Sequence, residues 1–295
     1  MLTVMGATGN TGKKVVEMLL AAGQPVRALG RSEKRLGELA ARGAEVLAGD
    51  SGDVAFLTRA FRGSSAVYAM LPEDRESPDY HQDQRRKGEA TVQALREARV
   101  RHVVALSSLG ADQAEGTGLL LTLRAQEERL RTLQDTNLLL LRPASFFENM
   151  LNALPVIQHL GINADSVEPD LPVPMIASRD IAAVAASALQ RRDWSGVVVR
   201  ELLGQRDLSY REATRILGAR LGRAGLDYVQ LPGEEMKQAL LQAGMSETFA
   251  GLYVQMTQAF NEGRVQPRTG RTADNTTPTR FEDFVAEFPL ESASH

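Results

Sequence analysis

The chain's 295 residues leave room for a nucleotide-sized domain plus a smaller part, and a hydrophobic content of 43% supports a real core. A net charge of −3 offers no general attraction to nucleic acid or to an anionic membrane, and the absence of cysteine excludes disulfides, thiolate nucleophiles and cysteine-ligated metal clusters. The four histidines, His81, His102, His159 and His295, are scattered without ligand spacing, so no metal is expected.

The apolar run Leu2-Thr3-Val4-Met5 reads as a first strand, with Gly6-Ala7-Thr8-Gly9-Asn10-Thr11-Gly12 behind it and a helical pattern from Lys13. A buried strand, three glycines at i, i+3 and i+6, and then a helix is how a fold grips a dinucleotide pyrophosphate. The first glycine makes the tight turn, the second lets backbone amides reach phosphate oxygens, and the third lets helix and strand approach. Glycines also serve turns that bind nothing, so the context matters. Val15, Val16, Leu19 and Leu20 form one apolar helical face, Gly23 is placed to cap it, and Val26 to Leu29 reads as the second strand.

An NAD-binding fold usually places an acidic residue at the end of that second strand, to hold the ribose hydroxyls. Here Gly30-Arg31-Ser32 stands there, with Lys34 and Arg35 behind. A guanidinium at that point matches a 2′-phosphate, which favours NADP(H) over NAD(H); the plainer alternative is a solvated start to the next helix.

Further elements follow at α/β spacing. A helix is expected over 33–42, a strand over 45–48 ending at Gly49-Asp50, a helix over 54–61 capped by Asp53, and a strand over 66–70 closed by Leu71-Pro72. A polar stretch from Glu73 begins as loop and becomes a helix ending near Ala98. Val103 to Leu106 is the fifth strand, followed by Ser107-Ser108. A helix over about 119–133 precedes Leu138 to Leu141, an apolar run suited to a strand buried on both faces, which ends at Arg142-Pro143. The expected fold is a Rossmann-like, doubly wound parallel sheet with ligands at the strand C-terminal ends, Gly6, Gly30, Gly49-Asp50, Leu71-Pro72, Ser107-Ser108 and Pro143-Ala144.

The second half is less regular. A helix over 180–189 and a strand over 197–201 rejoin the sheet. Ser209 and Glu212 have capping-box spacing, helices are expected over 234–243 and 247–261, and 264–278 reads as exposed loop. The expected organisation is a cofactor-binding part over 1–155, completed by about 177–203, with 156–176 and 204–290 forming a mostly helical substrate-covering part and 291–295 a tail. No apolar stretch is long enough to span a bilayer and no signal peptide fits ahead of Leu2, so a cytoplasmic location is expected.

Taken in order, these motifs resemble the NmrA-like atypical short-chain dehydrogenase/reductases, whose members include quinone and triphenylmethane-dye reductases and non-catalytic redox-sensing regulators. The resemblance rests on Gly6 to Gly12, Arg27 with Arg31, Gly49-Asp50, Ser107-Ser108 and Arg142-Pro143. It continues through Phe146-Phe147-Glu148-Asn149, Ser178-Arg179-Asp180-Ile181-Ala182 and Leu208-Ser209-Tyr210. It implies cofactor contacts from Gly6, Thr8, Gly9, Asn10, Thr11, Gly12, Arg31, Gly49, Asp50, Leu71, Pro72, Ser107, Pro143 and Phe146, and a substrate pocket that includes Ser108, Leu109, Phe147 and Asn149. Asp50 approaches the adenine edge or is an acidic turn residue. Ser107 and Ser108 bond substrate or nicotinamide amide, or cap backbone groups. Asn149 orients substrate or caps a helix.

Classical members of the wider superfamily use a Tyr-x-x-x-Lys pair. Family spacing back from Arg142 places Arg124 at the lysine position and Leu120 at the tyrosine position. Arginine can hold ribose hydroxyls but is a poor proton donor, and leucine transfers no proton. None of Tyr68, Tyr80, Tyr210, Tyr228 or Tyr253 has the right spacing to Arg124, although folding could bring one into the pocket.

The resemblance therefore implies a reductase that passes hydride from NADPH directly to a quinone-like or conjugated acceptor. The acceptor slot would be lined by Leu71, Pro72, Ser107, Leu109, Phe146 and Phe147 under the helices of 234–261. A non-catalytic NADP(H) sensor acting through a protein partner is the main alternative, and an isomerase or epimerase of the extended type is a third. The oligomeric state stays open.

Overall fold

The computed structural model describes residues 1–287. Strand and helix alternate through the first half: β1 (Leu2–Val4), α1 (Gly12–Ala21), β2 (Val26–Gly30), α2 (Glu33–Ala41), β3 (Glu45–Ala48), α3 (Val54–Phe61), β4 (Ala66–Ala69), α4 (Tyr80–Glu97), β5 (His102–Leu106), α5 (Leu120–Leu130) and β6 (Asn137–Pro143). The second half contains β7 (Ser145–Phe146), a 3-10 segment (Phe147–Ala153), α6 (Leu154–Leu160), β8 (Ile162–Asp165), β9 (Val173–Ile176), α7 (Ser178–Arg191), β10 (Val197–Leu202), β11 (Asp207–Leu208), α8 (Tyr210–Arg220), β12 (Asp227–Gln230), α9 (Gly233–Gln242), α10 (Glu247–Asn261) and α11 (Phe281–Ala286).

The main sheet has seven parallel strands in the order β10-β6-β5-β4-β1-β2-β3. The order in which strands are added reverses between β1 and β4, and ligands of such sheets bind outside the strand ends at that switch. The sheet is buried on both faces. Leu139 and Leu141 of β6 join α1, α2 and α7 in one core, while Leu138 and Leu140 join α3, α4 and α5 in the other. Four leucines in a row alternate between two cores, which is why β6 shows no polar alternation in sequence. The N-caps at Ser32, Asp53, Asp79, Ser209 and Ser246 each accept a bond from the amide three residues on, which fixes where α2, α3, α4, α8 and α10 begin.

The remaining strands form two small sheets, β11-β9-β7 and β12-β8, over a separate core that includes Phe147, Leu208, Leu217, Phe281 and Val285. These strands have two to four residues, too short to show a period. The stretch 264–278, expected as exposed loop, is irregular in backbone, but Val265, Asn275 and Thr277 in it are buried. The reason is backbone pairing: the Leu203 amide donates to the Asn275 carbonyl at 2.8 Å and the Thr277 amide to Gly204 at 3.3 Å. The expected tail at 291–295 lies outside the described residues. No helix among the described residues is long and apolar enough to cross a membrane.

Candidate functional site

The glycine loop hangs between the ends of β4 and β2. The Met5 amide donates to Tyr68 at 3.0 Å and the Ala7 amide to Leu29 at 2.9 Å. Gly6 has φ +63°, in the left-handed region, and a Cβ on Gly12 would collide with the Gly6 carbonyl. Gly9 and Asn10 are exposed at the tip. No side chain caps α1, because the Thr11 hydroxyl accepts from buried Tyr68 at 3.0 Å instead. The Lys13 amide turns back to the Gly9 carbonyl at 3.2 Å, while those of Gly12 and Lys14 have no partner among the described residues and are left for an external acceptor at the positive end of the helix dipole. Basic side chains frame the loop: Arg35 donates to the Thr8 carbonyl at 2.8 Å and Lys14 to that of Asn10 at 3.0 Å. From the other side, the Ser178 hydroxyl lies 3.2 Å from the Asn10 carbonyl and donates to Glu148, whose carboxylate also accepts from the Ser178 amide.

Arg31 projects from the end of β2, exposed, with no hydrogen bond or ion pair among the described residues. Arg27, its partner in the motif, plays a structural part: it bonds Glu45 through two nitrogens at 2.8 and 3.2 Å and donates to the Ala60 carbonyl. At the end of β3, a Cβ on Gly49 would run into the Phe56 ring. The Asp50 carboxylate there is 2.6 Å from Arg86, which holds its pKa below the usual aspartate range. At the end of β4, Leu71 is buried and the Pro72 carbonyl accepts from Lys87 at 3.0 Å and Gln84 at 3.1 Å. Lys87 is itself buried beside Asp83 at 2.5 Å.

Beyond β5, the Ser107 hydroxyl donates to Glu127 at 2.6 Å, and Arg142 grips the same carboxylate at 2.8 and 2.7 Å. Both members of that ion pair are buried. Ser108 donates to the Leu109 carbonyl at 3.0 Å, and buried Leu109 bonds through its amide to Pro143 at 2.9 Å. Arg124 is tied to the Asp112 carbonyl at 2.8 Å and to Glu128 at 3.0 Å, so its guanidinium is already engaged within its own neighbourhood. Leu120 is buried beside Leu109 and Val265. Phe146 is half-buried, whereas Phe147, expected to line the acceptor slot, packs at 5.0 Å on Phe281 and 5.5 Å on Phe284 in the C-terminal core. That is a correction: a ring filling that core presents no free face to a ligand. Asn149 is exposed.

Four groups at the strand ends escaped sequence reasoning. Glu127, Lys87 and Glu148 hold Ser107, Pro72 and Ser178, and a charged residue on a helix gives no sequence sign that its partner sits on another element. The fourth is Asp165 at the end of β8, which accepts the Tyr253 hydroxyl at 2.7 Å and the Ser166 amide at 2.6 Å. Tyr210 and Tyr228 pack on one another, their ring centroids 5.5 Å apart. Tyr210 bonds Ser145, immediately before Phe146. Tyr253 packs against the cluster of Tyr80, Leu119 and Phe249, next to Leu120. Both tyrosines thus reach the C-terminal edge of the sheet from the covering part. Helix α10 can lie close over the start of α5 because Gly118 has no Cβ to strike the Leu252 carbonyl.

Comparison with known proteins adds to this geometry. The family model described as NmrA-like family matches residues 1–285. A (4-alkanoyl-5-oxo-2,5-dihydrofuran-3-yl)methyl phosphate reductase of Streptomyces griseus is 31% identical over 296 residues, covering 97% of each chain. An NAD(P)H azoreductase of Xenophilus azovorans is 31% identical over 259 residues, 85% of this chain and 84% of that one. Among solved structures, the NADPH-dependent quinone oxidoreductase of Escherichia coli, crystallised with NADPH, superposes with a TM-score of 0.79 at 24% identity over 97% of this chain and 99% of that one. At that identity the likeness speaks for the fold.

Proposed function

The chain belongs to the NmrA-like family, and from that premise we propose that it binds NADP(H), in preference to NAD(H), and works as a reductase passing hydride directly to a quinone-like or conjugated small-molecule acceptor. The observation that carries this reading is the uncapped glycine-loop helix beside an unpartnered guanidinium, Arg31, at the end of the adjoining strand. A pyridine dinucleotide fits these residues. The loop places exposed backbone at Gly9 and Asn10 over the amides of α1, in a cradle that a Cβ on Gly12 would disrupt. Arg31 is free to meet a 2′-phosphate, and no carboxylate stands in its place to prefer a bare ribose. The names of the 31% identical relatives, two reductases, support the reaction class.

When bound, the reduced cofactor supplies the hydride. The chain's own contribution is placement. Leu71 and Pro72 are held by Gln84 and Lys87, and Ser107 is fixed by Glu127 with its proton committed, so its free lone pairs accept rather than donate. Leu120 offers no proton, which suits an acceptor whose product is protonated by water. In this reading 1–155 with 177–203 hold the cofactor, while 156–176 and 204–290 cover the acceptor. A second reading, a cofactor sensor acting through a protein partner, is favoured by one observation: Ser107 and Arg124 are both engaged inside the protein.

Calorimetric titration tests the cofactor reading. Arg31→Ala is expected to weaken NADPH binding about 10- to 150-fold, the size of a lost charge-assisted bond, and to change NADH binding by less than about twofold. Equal losses for the two cofactors, or no binding by the wild type, overturn it. Stopped-flow oxidation of NADPH over a panel of quinones separates the two readings. Rates above the uncatalysed background support the reductase. Background rates, with different protease protection by NADP+ and NADPH, support the sensor.

A further inference from the structure

At the end of the sheet away from the glycine loop, α4 runs into β5 and α5 into β6. Between these two turns lies an open cavity of about 790 Å³. Buried Leu95, Val100 and Leu133 give it an apolar floor. Exposed Arg96, Arg99 and Arg101 stand around it, and Asp135 is the one carboxylate in its lining. Arg96 reaches only the Thr132 hydroxyl, at 3.3 Å, and the side chains of Arg99 and Arg101 have no hydrogen bond or ion pair among the described residues.

A cation at a helix C-terminus has an ordinary use, since it offsets the negative end of the dipole. Charge and backbone here both go beyond that use. The ends of α4 and α5 carry roughly half a charge each, so together with Asp135 they balance about two of the three guanidinium groups. The third is left unmatched, in a chain whose net charge is −3. Arg99 also holds φ +52°, a left-handed conformation that crowds a Cβ against the following carbonyl oxygen. The turns after α1, α2, α3, α6, α8, α9 and α10 give that conformation to glycine, and among the described residues only Arg99 and Arg192 adopt it with a side chain. Arg192, after α7, turns its guanidinium back to the Leu189 carbonyl at 3.0 Å and so serves its own helix end. The Arg99 side chain does not. The turn after α4 is closed by backbone alone, the Arg99 and Val100 amides donating to the Arg96 and Leu95 carbonyls at 3.1 and 3.0 Å. The strained position thus carries a guanidinium free for a partner outside the chain.

We propose that this cavity is a second anion site, taking a phosphate-bearing organic molecule whose phosphate meets Arg99 and Arg101 and whose apolar body lies on Leu95, Val100 and Leu133. Guanidinium groups match phosphate oxygens in charge and in geometry. A bare ion would leave the apolar floor in water, and a neutral molecule would leave the guanidinium groups unmatched. The site lies at the opposite strand ends from the glycine loop and does not depend on the reductase reading.

Calorimetric titration with 1-naphthyl phosphate, inorganic phosphate and neutral 1-naphthylmethanol tests it, on protein saturated with NADP+ so that the glycine loop is occupied. The naphthyl phosphate is expected to bind at least about tenfold more tightly than either of the others. Arg99→Gly should weaken it about tenfold or more, the size of a lost charge-assisted bond. That variant installs the residue its backbone favours, so its thermal midpoint should hold or rise by about 1–3 °C, and lost affinity is then not a damaged fold. No binding of 1-naphthyl phosphate, equal affinity for inorganic phosphate, or binding that survives Arg99→Gly overturns the proposal. So does a titration seen only without NADP+, since the glycine loop would then be the site. A variant that loses affinity and several degrees of midpoint together also overturns it, by assigning Arg99 to the helix end. The cofactor reading is untouched by any of these results, because it turns on Arg31.

Discussion

Gly6, Gly9 and Gly12 are spaced alike and do different work: left-handed backbone at Gly6, an exposed tip at Gly9, and helix–strand contact at Gly12. All three roles are local, so the spacing alone revealed them. Asp165 is the opposite case, an aspartate that accepts the amide of its neighbour Ser166 but also the hydroxyl of Tyr253, 88 positions further along the chain. Its raised pKa has a consequence for stability. The folded chain holds the Asp165 proton more tightly than the unfolded chain does, so this residue's contribution is greatest below the ordinary carboxylate pKa of about 4 and falls as the pH rises through the raised value. Asp165→Asn removes that loss. Urea unfolding should show the variant gaining on the wild type over the pH range above about 4, the ordinary carboxylate value. A constant difference across it would show that the carboxyl titrates normally.

At the level of elements, the helices and strands of the first half were legible because each carries its own signal. Four leucines mark β6 and Asp53 marks the start of α3, and in the second half Ser209 marks the start of α8. Ser209 caps α8 through the Glu212 amide, but the Glu212 side chain pairs with Arg206 rather than returning to close a capping box. Helix α5 shows what a periodic pattern omits. It is weakly amphipathic because Gln126 and Glu127 are buried in it, and Glu127 meets Arg142 on β6 and Ser107 after β5. Breaking that pair should be costly: Glu127→Gln strands the buried guanidinium and is expected to lose about 3–5 kcal/mol in urea unfolding. Replacing both partners, Glu127→Leu with Arg142→Met, should recover much of the loss. A double variant as unstable as the single would mean that packing, not charge, holds α5 there.

Across the whole molecule, the covering part is fastened to the sheet by polar bonds at a few points. Buried Asp180 of α7 accepts the Thr279 amide at 3.1 Å and its hydroxyl at 2.6 Å, anchoring the chain just before α11. Asp180→Ala leaves two buried donors without a partner, which costs about 1–3 kcal/mol. It should loosen 272–280 locally, so trypsin is expected to cut faster after Arg271 and Arg280 while NADPH affinity stays unchanged. Unaltered cleavage would show that the Leu203 and Gly204 pairings hold the segment unaided.

By itself, the sequence determined the doubly wound sheet, the glycine loop at its switch point and the guanidinium at the end of β2. Each is written within about one turn or one strand, where periodicity, capping and backbone freedom act. Only the tertiary structure decided that Ser107 answers to Glu127, that Arg124 is engaged by Asp112 and Glu128, that Phe147 belongs to the core, and that the Tyr253 hydroxyl meets Asp165. Those outcomes depend on which side chains meet after distant elements pack. Burial and pairing energies set them, and neither leaves a periodic trace along the chain.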